Sequence, residues 1–315
     1  MNSTSNSAEL FRPIIPVLVG PTAVGKTGVA LELTEHFNLE IVSCDSRQIY
    51  KYMNIGTAKP TAAELGGKPY RLIDYVEPDK SYSSALFRHD AVIEIERILA
   101  AGRTPLIVGG TGLYLKAITS GFFATPNPDE TYRRQLESLE TSDLYNKLRS
   151  VDPAAAEAIP RNNRIRVIRA LEIHKLTGRS KTELMSQGSY PEQKYDFIVF
   201  ELNRSREKLY QFINFRVDKM IREGLIGEVE NLVEMGFGQS PVLKQTVGYR
   251  EVLGLLNKQL QRDQCVELIK QKTRNYAKRQ VTWFRPDPNI VRIDLEDESG
   301  KEKLLVELDK LKLDT

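Results

Sequence analysis

The pattern of hydrophobic positions predicts short buried strands alternating with helices in the first 121 residues. Three apolar runs rich in β-branched residues end in glycine or in small polar residues, as buried strands do. These runs are residues 14–19, 39–43 and 104–108. Helical spacing is predicted for residues 26–37 and 86–101. This alternation predicts an α/β fold with a parallel sheet flanked by helices on both faces.

A change of pattern near residue 121 predicts a helical insertion. The sequence Thr-Pro-Asn-Pro at 125–128 breaks the chain, and charged helical sequence without a convincing strand follows from 130 to about 177. A strand pattern returns after a second break, and helices, a short strand at 290–293 and a charged helix complete the chain. We therefore predict an insertion domain of residues 122–195 within a core of residues 13–121 and 196–315.

Composition limits the class of protein without naming a function. The chain of 315 residues has 45 basic and 42 acidic residues, a formal net charge of +3. Its two cysteines, Cys44 and Cys265, cannot form a disulfide framework or a multi-cysteine zinc site. The sequence contains no apolar run long enough to span a membrane and no signal-peptide pattern near its first residue. We expect a cytoplasmic protein without a membrane partner.

Basic residues cluster in two places although the total charge is small. Residues 161–169 hold four arginines, residues 270–285 hold six basic residues, and neither segment holds an acid. Such clusters bind phosphates, although a solvated helix face has the same composition. His36, His89 and His174 have no metal-ligand spacing, so we assign them no chemistry.

The strongest single motif is a phosphate-binding loop. It matches G-x-x-x-x-G-K-[ST] and consists of Gly20, Pro21, Thr22, Ala23, Val24, Gly25, Lys26 and Thr27. Glycines let consecutive backbone N–H groups surround an anion, and the following helix adds the positive end of its dipole. Lys26 supplies a full charge to the phosphate oxygens, and Thr27 offers a hydroxyl to Mg²⁺. Because the motif follows a predicted strand and opens a predicted helix, we predict phosphate or diphosphate binding rather than a fortuitous turn.

The loop alone leaves the phosphate compound open. A kinase or ATPase is expected to place an acid after a second hydrophobic strand, but the strand at 104–108 is followed by Gly109-Gly110-Thr111-Gly112. Asp45, after the second predicted strand, is the nearest acid. It has three possible roles: a water-mediated contact with Mg²⁺, a general base, or a turn or helix cap.

Taken together, the segments resemble the bacterial tRNA dimethylallyltransferases, also called tRNA isopentenyltransferases, over residues 14–285. Only the phosphate loop is specific by itself, but the ordered set is highly specific. The other segments include Asp45-Ser46-Arg47-Gln48-Ile49-Tyr50, Gly56-Thr57-Ala58-Lys59-Pro60, Leu72-Ile73-Asp74, Gly109-Gly110-Thr111-Gly112-Leu113-Tyr114, Arg169-Ala170-Leu171-Glu172, Glu228-Val229, Gly248-Tyr249-Arg250-Glu251, Lys278-Arg279-Gln280 and Thr282-Trp283-Phe284-Arg285.

The resemblance implies transfer of dimethylallyl from dimethylallyl diphosphate to the exocyclic amine of the adenosine 3′-adjacent to the anticodon of tRNA. It implies that the diphosphate occupies the phosphate loop with Mg²⁺ at Thr27. It implies Asp45, Thr111 and Arg216 as catalytic residues, with Asp45 as the base and Arg216 on the diphosphate. The implied contacts with the tRNA anticodon stem-loop come from Asp45, Ser46, Arg47, Gln48, Thr111, Arg133, Ile165, Arg166, Val167, Ile168, Arg169, Gln245, Thr246, Val247, Gly248, Tyr249 and Arg250.

Two segments depart from the family pattern. Pro69-Tyr70-Arg71 stands where many relatives carry two histidines, so no metal or acid–base role is assigned there. Ile165-Arg166 stands where relatives often have Gln-Arg, so a contact from glutamine to a base is lost or moved.

Three other functions remain open on the sequence. An adenylate isopentenyltransferase shares the loop and Asp45 but has less need of the insertion. A P-loop kinase or ATPase lacks a visible strand-end acid here. A non-catalytic nucleic-acid-binding module has no reason to combine Lys26, Asp45 and Arg216. We expect a monomer without an obligate protein partner.

Overall fold

The computed structural model describes residues 12–121, 129–187 and 194–312. The predicted break at 125–128 lies outside the described residues, as does most of the break predicted before residue 196. The described chain divides into two compact units, residues 1–119 with 193–315 and residues 120–192. The predicted boundaries were 121 and 196.

One parallel sheet of six strands forms the centre of the first unit in the described ranges. The strands are β1 (Ile14–Val19), β2 (Leu39–Cys44), β3 (Tyr70–Arg71), β4 (Thr104–Gly109), β5 (Asp196–Asn203) and β6 (Val291–Asp294). Their order is β3-β2-β4-β1-β5-β6, and every neighbouring pair is parallel. The predicted α/β class with a parallel sheet is confirmed.

Helices cover the sheet because parallel strands need crossover connections that pack back onto it. The first unit contains α1 (Lys26–His36), α2 (Ala62–Leu65), α3 (Ser84–Ala100), α4 (Gly112–Thr119), α10 (Arg206–Arg222), α11 (Leu225–Glu234), α12 (Pro241–Gln245), α13 (Tyr249–Leu256), α14 (Arg262–Phe284) and α15 (Gly300–Asp309). A 3₁₀ helix at Phe237–Gln239 precedes α12. Within the described residues, no helix has the length and apolar character needed to span a bilayer.

Two apolar clusters lie on the two faces of the sheet, since successive strand residues point to opposite sides. On β1, Leu18 belongs to the cluster formed with α1, whereas Val17 and Val19 belong to the cluster formed with α3 and α4. A third cluster contains Ile49 and Met53 with residues of α11, α13 and α14. It attaches the chain that follows β2 to the C-terminal helices.

The second unit is helical, as the sequence predicts. It consists of α5 (Glu130–Glu137), α6 (Thr141–Val151), α7 (Pro153–Ala158), α8 (Arg164–Thr177) and α9 (Lys181–Gln187). Asp152 caps α7 by accepting a hydrogen bond from Ala155 N, and Pro153 occupies the first turn, where its missing N–H costs nothing. The unit has its own apolar core, with Leu144, Leu148 and Leu171 buried.

Candidate active site

The carboxyl ends of β1, β2 and β4 meet at one edge of the sheet. Because β4 lies between β1 and β2, the loops that follow these three strands are neighbours. Ligands of open α/β sheets bind at this edge. The three loops hold the phosphate-binding motif, Asp45 and Thr111. The first two loops and the end of β4 border a cleft of ≈ 880 Å³, which Lys26, Thr27, Asp45 and Arg216 line and Thr111 does not.

The phosphate loop has the backbone shape that its glycines predict. Gly20 has a φ of +149°, and a Cβ there would lie 2.6 Å from the carbonyl oxygen of Leu202. Only glycine therefore lets the loop leave β1 beside β5. Lys26 Nζ donates to the carbonyl oxygens of Gly20 at 2.9 Å and Pro21 at 3.0 Å. Its ammonium group thus lies over the loop.

Lys26 and Arg216 bring two cationic groups to this loop. Burial lowers the pKa of Lys26 to about 8, and the nearby charge of Asp45 opposes this shift. Burial also lowers the pKa of Arg216, again opposed by Asp45. Arg216 Nη1 donates to Thr22 Oγ1 at 3.3 Å. Desolvated cations favour an anionic ligand that restores their lost interaction energy.

Asp45 is held by the turn that follows β2. Its Oδ1 accepts from the backbone N–H groups of Arg47 at 2.8 Å and Gln48 at 3.3 Å. The turn role weighed in the sequence analysis is therefore present. Asp45 also lines the cleft, so the carboxylate is both fixed in direction and accessible to a ligand.

Thr111 lies beside the Asp45 turn. Its Oγ1 accepts from the backbone N–H of Ser46 at 3.1 Å, and its own N–H donates to Cys44 O at 3.3 Å. Tyr276 of α14 lines the cleft, and burial followed by the charge of Asp45 raises the pKa of the Tyr276 hydroxyl. Asp45 and Thr111 thus come together through the N–H of Ser46, and Tyr276, for which the sequence carries no signal, lies in the lining of the same cleft.

Tyr70 and Cys44 complete the surroundings of Asp45. Tyr70 lines the cleft, and burial raises the pKa of its hydroxyl. The position that departs from the family pattern therefore faces the site. Burial, reinforced by Asp45, raises the pKa of the Cys44 thiol well above its usual value. The Cys44 thiol beside Asp45 is therefore neutral.

The oxygen donors around the cleft suit Mg²⁺ bound together with a diphosphate. Thr27 offers a hydroxyl and Asp45 a carboxylate, and both line the cleft. In the described ranges, no group of three or more His, Cys, Asp or Glu side chains is placed to hold a metal ion. Mg²⁺ commonly binds through one or two protein oxygens, substrate phosphates and water. The residues present fit that mode.

The segments predicted to contact tRNA divide into exposed and buried side chains. Ile165 is 80% exposed and Arg166 is exposed, but Val167 and Ile168 lie in the core of the helical unit. Arg133 and Arg169 form ion pairs with the buried Glu172. The RNA contacts of these residues stay predictions, and the side chains of Val167 and Ile168 have packing roles.

The segment 245–250 also contains both exposed and buried side chains. Gln245 and Arg250 are exposed, whereas Thr246 and Tyr249 are buried. The Tyr249 hydroxyl donates to Glu228 Oε1 inside the cluster around α13. Its side chain is therefore part of the framework of the core unit and does not lie on a surface available to tRNA.

Glu228 and Gln280 are further polar residues to which the sequence analysis assigned no role. Glu228 accepts hydrogen bonds from the backbone N–H groups of Asn54, Ile55 and Gly56, which begin a loop that borders the cleft. Gln280 lines the cleft from α14. Glu228 and Gln280 both lie in segments that carry the family resemblance, and that resemblance was the sequence signal that could have identified them.

Comparison with known proteins identifies the family. The model of the IPP transferase family matches residues 48–287. The chain belongs to the IPP transferase family. The family match begins after Asp45, but the alignments with individual relatives cover most of the chain. These alignments confirm the family resemblance.

Curated members of the IPP transferase family are similar over nearly their whole length. The tRNA dimethylallyltransferase of Acetivibrio thermocellus is 42% identical over 297 residues, covering 93% of this chain and 95% of its own. That of Carboxydothermus hydrogenoformans is 43% identical over 293 residues, covering 91% and 93%.

Solved structures agree with this assignment. The tRNA isopentenylpyrophosphate transferase of Bacillus halodurans has a TM-score of 0.71 and 39% identity, and the match covers 96% of this chain and 97% of its own. A eukaryotic dimethylallyltransferase studied acting on tRNA has a TM-score of 0.81 and 28% identity, with 96% and 81% covered. The fold of the IPP transferase family is thus shared by relatives from bacteria and eukaryotes.

Proposed function

We propose that this chain is a tRNA dimethylallyltransferase. It transfers the dimethylallyl group from dimethylallyl diphosphate to the exocyclic amine of the adenosine 3′-adjacent to the anticodon, and it does so in the cytoplasm. The observation that supports this most is the cleft that Lys26, Asp45 and Arg216 line together. At one end of such a cleft, Lys26 and Arg216 can bind a diphosphate. The carboxylate of Asp45 is available to the amine.

The chemistry matches these groups. The amine nitrogen forms a bond to C1 of the allyl group, and the bond between C1 and the diphosphate oxygen breaks, its electron pair leaving with the diphosphate. Negative charge therefore grows on the leaving group, where Lys26, Arg216 and the loop amides stabilise it. Asp45 accepts the proton that the amine loses.

Magnesium is part of the proposal. Thr27 is the residue that would hold Mg²⁺, which when bound supplies positive charge to the diphosphate. The residues of this chain must also position the acceptor adenine. The adenine must leave its stack to enter the cleft, and the amine must be directed at C1 with Asp45 beside it.

The acceptor distinguishes this proposal from its alternatives. Radiolabelled dimethylallyl diphosphate is offered, with Mg²⁺, to an unmodified tRNA anticodon stem-loop and separately to AMP. We expect label in RNA and none in AMP. Label in AMP alone would indicate an adenylate isopentenyltransferase, and hydrolysis of ATP without label in either acceptor would indicate a P-loop ATPase.

The role of Asp45 is tested in the same assay. We expect Asp45→Ala to lower kcat by about 10²- to 10⁴-fold, the usual contribution of a general base. Asp79→Ala, which removes an exposed acid of the same unit, serves as the matched control. A kcat for Asp45→Ala equal to that of the control would show that the carboxylate is only a turn residue.

A further inference from the structure

One face of α14 approaches the site. Tyr276, Gln280 and Trp283 follow one another at intervals of four and three residues, so their side chains lie on one side of the helix. Tyr276 and Gln280 line the cleft. Gln280 and Trp283 belong to segments that carry the family resemblance and to which the sequence assigns no function.

Gln280 joins two loops of the site with its one side chain. It is 6% exposed. Its Oε1 accepts from the backbone N–H of Thr22 at 2.8 Å, and its Nε2 donates to the carbonyl oxygen of Gly110 at 2.9 Å. Thr22 belongs to the phosphate loop, and Gly110 directly precedes Thr111. Both polar ends of the amide are therefore used, each on a different loop.

The Gly109–Gly112 turn is shaped to receive this face. A Cβ on Gly110 would overlap the amide nitrogen of Gln280, and a Cβ on Gly112 would overlap the indole of Trp283. Neither glycine has a positive φ, so the requirement is for space and not for a special backbone conformation. The Gly-Gly-Thr-Gly sequence thus admits α14 at close range.

The phosphate loop lies on the side of the donor diphosphate, and the Thr111 turn lies on the side of the acceptor amine. Thr22 receives the hydrogen bond of Arg216, on the side of the diphosphate. Thr111 receives the N–H of Ser46, next to Asp45 on the side of the acceptor amine. A change in the separation of these loops alters the distance from C1 of the donor to the amine and its base.

We infer that Gln280 is a positioning residue that fixes the separation between the phosphate loop and the Thr111 turn. The inference rests on the transfer reaction proposed above. Lys26 and Arg216 bind the anion independently of Gln280, so its loss leaves the affinity for the donor largely intact. The rate of the chemical step falls instead, because misplacing reacting groups by about 1 Å costs about 100-fold.

The test is a single-turnover assay in which the enzyme is in excess over the RNA, at a concentration that binds all of the RNA, and dimethylallyl diphosphate is saturating. Under these conditions the first-order constant does not depend on the fraction of enzyme that is folded. A variant whose only defect is a smaller folded fraction therefore gives the same constant as the wild type. We expect Gln280→Met, which keeps the length of the side chain without its hydrogen bonds, to lower this constant by about 100-fold with KM for dimethylallyl diphosphate within about threefold. Gln271→Met, at an exposed position of α14, is the matched control.

Gln280→Glu provides a second readout that does not depend on Gln280→Met folding. A protonated carboxyl can accept from Thr22 N and donate to Gly110 O, as the amide does, whereas the carboxylate repels that carbonyl oxygen. We expect the rate of Gln280→Glu relative to wild type at the same pH to rise as the pH is lowered.

The outcomes separate this inference from the proposed function. Single-turnover constants for Gln280→Met and Gln280→Glu equal to that of Gln271→Met would overturn the positioning role while leaving the transferase function in place. Absence of prenyl transfer by the wild-type protein would overturn the proposed function and this inference with it.

Discussion

The cleft of the core unit and α8 of the helical unit use polar residues in contrasting ways. Around the cleft, side chains are turned inward and engaged by distant parts of the chain, as Gln280 is with partners 258 and 170 residues away. On α8, Ile165 and Arg166 are exposed, while the neighbouring Val167 and Ile168 are buried. The cleft therefore fixes geometry, whereas the exposed side of α8 presents groups to solvent.

This difference predicts different responses to mutation. Directional contacts between buried groups fail when a single hydrogen-bonding atom is changed. Exposed charges tolerate such changes but respond to salt, because their interactions are long-ranged and screened. The three predictions that follow test the contrast, from the largest expected effect to the smallest.

Glu228 tests whether the framework of the cleft depends on single directional contacts. It accepts from the N–H groups of Asn54, Ile55 and Gly56 and from the Tyr249 hydroxyl. Glu228→Gln replaces one accepting oxygen by a donor that opposes these N–H groups. We expect the free energy of unfolding, measured by urea denaturation, to fall by about 2 kcal/mol, or about 30-fold in the unfolding equilibrium.

Glu230→Gln is the control for this prediction, since Glu230 is exposed on the same helix, α11. A free energy of unfolding for Glu228→Gln equal to that of Glu230→Gln would mean that the loop beginning at Asn54 is held by packing alone. The contrast between the cleft and α8 would then be weaker than the structure suggests.

Much of the sheet could be predicted because its strands have clear local boundaries. The apolar run at 14–19 coincides with β1, since it ends at Gly20, and the run at 104–108 lies within β4. The strand β3 was not predicted, because two half-buried residues at the edge of a sheet show no periodicity. Helix α4 was also not predicted, since its first residue, Gly112, belongs to a glycine-rich sequence typical of a loop.

The site was predictable where its residues lie in one contiguous motif or at the end of a strand. Lys26 and Thr27 lie in the contiguous motif, Asp45 follows the end of β2, and all three line one cleft. The bridge formed by Gln280 has no local pattern, because its partners lie on other elements far away in sequence. Tyr249 shows the opposite problem: its place in a segment quoted for tRNA contact gave no indication that its side chain is fully buried.

Lys26 tests the electrostatics of the cleft through pH. Its pKa in the free protein is lowered to about 8, chiefly by burial, so the ammonium is charged below that pH and neutral above it. A diphosphate stabilises the charged form, so binding weakens as Lys26 loses its proton. Between pH 7 and pH 9 the charged fraction falls about tenfold, and we expect the affinity for inorganic diphosphate, measured by calorimetry, to fall by about the same factor.

Lys26→Arg is the control for the pH effect, because a guanidinium stays charged over this range. Titration of the diphosphate itself affects both proteins equally, so the ratio of their affinities isolates Lys26. A ratio that does not change between pH 7 and pH 9 would mean that Lys26 has an ordinary pKa and that the cleft desolvates it less than its burial indicates.

Arg166 tests whether the exposed side of α8 presents charge to RNA. If α8 presents charge to RNA, Arg166→Ala removes about one phosphate contact and weakens binding of the anticodon stem-loop a few-fold at moderate salt. The slope of log K against log salt then becomes shallower by about 0.7–0.9. Arg166→Lys keeps the charge and retains most of the slope, and Arg149→Ala, at an exposed position of the same unit, leaves it unchanged. An unchanged slope for Arg166→Ala would mean that the arginines of α8 form only a solvated surface, and the helical unit would then need another route to the RNA.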